Sequence, residues 1–139
     1  MKQLDELIRG EISAVESFDT VIYRIKDATE LKELTQIRQD HQRAVETLRQ
    51  FEVVDSSVPR NTDSSGPWGT FTTAFAGGAS FFGDKAAINA LKIGEQHGLK
   101  EYQDALNNSA FESKVKEVIR TELIPCQERH LALIENYLH

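Results

Sequence analysis

One polar residue interrupts the apolar seam of each long helix that this sequence encodes: Glu11, His41, Glu95 and His130. A carboxylate or imidazole inside an apolar stripe is costly unless it finds a partner. Four seams that face one axis would supply those partners to each other. Two carboxylates and two imidazoles around an axis form a donor set for a single first-row metal such as iron, manganese or zinc. The same residues could instead form a metal-free buried network. Arg38 lies one turn before His41 and is expected to pair with Glu11 or Glu95 if the network is ionic.

The elements that would position these residues are legible as periodicity. In Leu91–Tyr102, LKIGEQHGLKEY, Leu91, Leu99 and Tyr102 share a helix face with Ile88, and Glu95 falls on that face. Helix one is expected over Lys2–Lys26, with Leu4, Glu11, Phe18 and Ile25 in one row and Ile8, Val15 and Ile22 in the next. Helix two is expected over Glu30–Glu52, capped by Thr29, with His41 in the row Leu34, His41, Leu48. Asp40, Gln42 and Arg43 flank that row and read as exposed. Helix three is expected over Lys85–Leu106 behind an Asp84 cap, and helix four over Ala110–Tyr137. The rows of helix four are Leu123, His130, Tyr137 and Ile119, Cys126, Leu133, and Pro125 should kink it because it cannot bond the Thr121 carbonyl. Gly94 and Gly98 bracket Glu95. Glycine within a helix costs roughly 1 kcal/mol against alanine, so a close neighbour or bound group is expected there.

The links between helices one and two, and three and four, are short, so each pair should form an antiparallel hairpin. The link between helices two and three is about thirty residues long. It opens as a loop, VVDSSVPRNTDSSG, and continues as a short amphipathic helix from Pro67 to about Gly77, with Trp68, Phe71 and Phe75 on one face. A link of that length lets helix three start from the far end of the bundle. The fold class is therefore all-α, a ferritin-like four-helix bundle with a long crossover containing a short fifth helix, in one domain spanning residues 1–139.

The chain is similar to a bacterial family of ferritin-like four-helix bundles classed as a domain of unknown function. The segments GPWGTF, FFGDKAAINALKIGEQHGLKEY and the helix-four run ending CQERH carry that resemblance. It implies the fold and no activity. Against the ferritin di-iron pattern, Glu11 and Glu95 match the single-Glu helices, and His41 and His130 match the two histidines. Arg38 and Gln127 stand where the bridging carboxylates would be, which disfavours a di-iron oxidase and leaves one metal on two Glu and two His. Counted from the turn near Asn108, Glu95 and His130 differ in height by roughly 13 Å, which makes Glu122 a substitute ligand unless Pro125 reshapes the helix. Glu11 and His41 differ by only about 5 Å. Cys126 and His130 are four residues apart, so they can touch or share a metal. His97 and Glu101 read as a surface pair.

Composition narrows the partners. A net charge of −6 with interleaved acids and bases gives no attraction to nucleic acid or an anionic membrane. No run is long and apolar enough to span a bilayer as a helix. A single cysteine excludes an intrachain disulfide and fits a cytoplasmic compartment. Two function classes follow: a structural or interaction module, with a homodimer among its allowed assemblies and the protein partner unnamed, or a metal-handling protein. Enzymatic activity is left open.

Overall fold

A computed structural model describes residues 2–52 and 83–138. The expected crossover helix with Trp68, Phe71 and Phe75 lies outside the described residues. Those residues are all-helical, with no strand among them. Helix α1 spans Lys2–Ile22, α2 Ala28–Arg49 and α3 Gly83–Leu106. The fourth rod is α4 (Ser113–Val118), a π-helical turn (Ile119–Leu123) and α5 (Ile124–Tyr137) in succession.

Helix α2 begins earlier than expected, because Asp27 rather than Thr29 caps it: its carboxylate accepts the Glu30 N–H at 2.9 Å. Helix α1 ends at Ile22 instead of Lys26, and the chain turns there through the Arg24 N–H to Val21 carbonyl bond at 2.9 Å and the Ile25 N–H to Ile22 carbonyl bond at 3.2 Å. Helix α1 packs on α2, α3 packs on α5, and α1 also meets α3.

Two apolar clusters fix the directions of the rods. One joins Leu4, Leu7 and Ile8 from the start of α1 to Val45 and Leu48 from the end of α2, Tyr102 and Ala105 from the end of α3, and Val115 from α4. The other joins Phe18 and Val21 to Leu34, Ile37, Ile88, Leu91 and Ile134. Helix α3 therefore starts at the end of the molecule where α2 starts, and these two run parallel. Helix α1 and the fourth rod run the other way. Burial of these side chains supplies the stabilising free energy, about 1.5–3 kcal/mol for each fully covered large aliphatic or aromatic group. Glu11, His41, Glu95 and His130 occupy the layer between the two clusters.

The π turn resolves the Pro125 conflict. The Ile124 N–H bonds the Ile119 carbonyl, five residues back, so Pro125 falls in the first turn of α5, where its missing N–H costs little. One extra residue in a turn also rotates everything after it. The buried face of α5 is Gln127, His130 and Ile134, not the expected Cys126 and Leu133. Cys126 is half-buried. The same segment removes the height conflict. Residues 107–112 form a non-helical link whose ends need not lie level, and the π turn alters the register of the rod above it. No described helix is long and apolar enough to cross a membrane.

Candidate metal centre

The four seam residues come from four rods and are all buried, with Glu95 at 0% exposure. His41 stands in the middle. Its Nδ1 lies 2.6 Å from a Glu11 carboxylate oxygen, and its Nε2 hydrogen-bonds Glu95 Oε1. The Tyr102 hydroxyl donates to the other oxygen of Glu11, which completes a chain Tyr102–Glu11–His41–Glu95. The Phe18 ring walls His41 on one side, with centroids 5.4 Å apart.

His130 approaches from the fourth rod, its ring centroid 4.9 Å from that of His41. Its Nε2 lies 2.9 Å from Asp40 Oδ2 and 3.4 Å from Cys126 Sγ. Its Nδ1 faces Glu95 Oε2 at 3.4 Å. Both of those atoms are buried, and neither makes a hydrogen bond.

Several sequence expectations change here. Arg38 does not pair with Glu11 or Glu95. It sits at the edge of α2 and makes a two-pronged pair with Asp19, at 2.9 and 3.3 Å. The layer is therefore not a Glu/His/Arg network. Glu122 is exposed and does not replace His130 beside Glu95, because the fourth rod is set so that His130 itself reaches. Gln127 donates to the Glu95 backbone carbonyl at 3.0 Å. Glu101 is not a surface partner of His97: it is half-buried, with its carboxylate across from Gly10. Burial, with Glu6 and Glu11 nearby, pushes its carboxyl up to about 7.

Asp40 and Tyr102 were not legible as site residues. Tyr102 carried a usable signal, since a phenol in an apolar stripe needs a partner for its hydroxyl. Asp40 carried none, because its partner lies on another rod.

Burial alone would strip the charge from His41, but Glu95 and Glu11 outweigh it and raise the imidazole to about 10. Burial likewise opposes a charged His130, and its contacts with Asp40 and Cys126 and the Glu95 charge beside it carry it up to about 12. Glu95 is held down to about 2 against its burial by His41 and His130. Without a metal the layer is a set of ion pairs at neutral pH.

Gly98 explains its own presence. A Cβ there would lie 2.8 Å from Gln127 Nε2, so Gly98 makes room for the amide that bonds the Glu95 turn. Gly98→Ala should give no net stabilisation in the wild-type chain, because displacing Gln127 offsets the gain in helix propensity. In a Gln127→Ala background the same change should stabilise by about 1 kcal/mol. Urea unfolding of the four proteins measures the difference, and equal effects in both backgrounds would refute the packing account.

A cavity of about 10 Å³ opens beside Glu11 and His41 and also touches Gly10, Gly98, Glu101 and Tyr102. It is the size of one water molecule. His41, Glu95 and His130 each place a donor atom within 4.8 Å of the other two. A family model described as Domain of unknown function (DUF2383) matches residues 1–108. The chain belongs to this family. The DUF2383 match includes Glu11, His41 and Glu95, and His130 follows it. Comparison with curated proteins and with solved structures gives no match.

Proposed function

We propose that this chain is a ferritin-like bundle of one domain that holds a single divalent transition-metal ion, iron, manganese or zinc, on His41 Nε2, Glu95 and His130 Nδ1. The observation that carries this reading is the contact of Glu95 Oε2 with His130 Nδ1, two buried atoms in ion-pair range at 3.4 Å that make no hydrogen bond. Two donors that each sit about 2.0–2.2 Å from one metal lie roughly 3.0–3.4 Å from each other. Two histidines and one carboxylate with further positions open form a known donor set for such ions.

The far nitrogens support the same reading. A metal-bound histidine usually donates its other N–H to a carboxylate. His41 has Glu11 there, and His130 has Asp40. Glu11, expected as a ligand, is better placed to orient His41, and Tyr102 in turn holds Glu11. The ion would supply a Lewis acid or redox centre. The protein would hold it away from bulk solvent, with a water-sized cavity beside His41 and Glu11.

A second reading rests on His41, which has a carboxylate on each nitrogen with no metal needed. It makes the layer a structural ion-pair network within a cytoplasmic interaction module. Metal analysis separates the two. Protein purified without chelators, then dialysed against trace metal, should retain close to one equivalent and melt at a higher temperature after iron or zinc is added. Near-zero metal and an unchanged melting temperature would leave the network reading.

A further inference from the structure

Asp40 and Cys126, the two side chains that reach His130 Nε2, line a groove of about 280 Å³ between α2 and the fourth rod. Asp40, Cys126, Thr47, Thr121 and Arg43 are among the residues that line it. Asp40 Oδ2 and Cys126 Sγ both approach the same ring nitrogen, His130 Nε2, at 2.9 and 3.4 Å. That nitrogen carries at most one hydrogen, so it cannot serve both as donor at full strength. The three donor atoms lie within 4.8 Å of one another. Cys126 and His130 are four residues apart on one helix, the spacing that brings two side chains to one face. Asp40 comes from the facing helix, and Gln36 donates to its other oxygen at 3.1 Å, which turns Oδ2 toward His130.

We propose a second, outer metal site for a zinc-class divalent cation on Cys126 Sγ, His130 Nε2 and the Asp40 carboxylate, with water from the groove as the fourth ligand. One sulfur, one nitrogen and one oxygen ligand with an open position suit tetrahedral zinc. Binding releases the thiol proton of Cys126 and the Nε2 proton of His130 to solvent. Arg43 is 3.7 Å from Asp40 and largely exposed, so it can swing away from the incoming cation. The outer site does not require the inner one. Where both are filled, the His130 ring bridges them, Nδ1 inward and Nε2 outward.

Cobalt(II) titrated into the full, metal-stripped chain tests this. The inner centre offers only nitrogen and oxygen donors, so a near-ultraviolet thiolate-to-cobalt band reports the outer site alone. The wild-type chain should show the band, zinc should bleach it, and Cys126→Ser should lack it while keeping its helical circular dichroism. Saturating zinc, in excess over both sites, should also slow alkylation of Cys126 in the wild-type chain at least tenfold, a readout that needs no variant. Absence of the band, or alkylation unaffected by zinc, overturns the outer site and leaves the inner reading standing. A band that persists while Glu95→Ala changes no metal content overturns the inner reading and leaves the outer one.

Discussion

Glu95→Ala should lower the stability of the metal-free chain by about 3–5 kcal/mol, the usual cost of breaking a buried charge pair from one side. Glu95 is fully buried and stands between two imidazoles. Its removal leaves the His41 and His130 rings 4.9 Å apart with no carboxylate between them. Glu11 still bonds His41 and Asp40 still bonds His130, so each ring keeps one partner and the layer does not lose everything. The melting temperature should fall by on the order of 10–20 °C. The same variant should lose the inner metal, because Glu95 is the sole carboxylate in the proposed ligand set. Glu95→Gln keeps the shape, so it should lose less stability and just as much metal. Thermal melts and metal content of both variants check the pair of effects. A Glu95→Ala protein with wild-type melting temperature would contradict the ion-pair network and the metal centre together.

Much of this layer could be read from spacing, and the reason is helical geometry. Glu11, His41, Glu95 and His130 each occupy a row of apolar residues, and a helix that buries its row must bury the polar member too. The direction of α3 was also legible, because a link of some thirty residues can run the length of the molecule whereas a link of five cannot. The failures have a common physical cause. Rows on the fourth rod assumed one helical register throughout, and the π turn at Ile119–Leu123 shifted it, so Gln127 entered the core in place of Cys126. Contacts between helices depend on rotation and tilt that no single row contains. Asp40 looked like a solvated flank and is the partner of His130. Arg38 looked like a neighbour of the carboxylates and instead reaches outward to Asp19. Long charged side chains at the edge of a stripe can turn either way, and the sequence does not choose between an exposed aspartate and a buried glutamate.

Stability should depend on pH in opposite senses with and without metal. In the metal-free chain His41 is raised from 6.5 to about 10, since Glu95 and Glu11 outweigh the burial that opposes its charge. A raised imidazole contributes stability that is complete below about 6.5 and is lost as the pH climbs through 10. Glu95 is lowered from 4.5 to about 2 despite its burial, by His41 and His130. A depressed carboxyl contributes stability that is complete above about 4.5 and is lost as the pH falls through 2. The metal-free chain should therefore be most stable between about pH 4.5 and 6.5 and should lose on the order of several kcal/mol toward pH 10. Metal reverses the alkaline limb. His41 Nε2 and His130 Nδ1 must give up their protons to bind a cation, so protons and metal compete for the same atoms. The gap between melting temperatures with and without saturating zinc should widen steadily from pH 6 to pH 9. If the metal-free melting temperature were flat over that range, His41 would not be the charged centre of the layer. If the metal-free curve fell and zinc failed to widen the gap, the layer would be an ion-pair network that does not bind zinc.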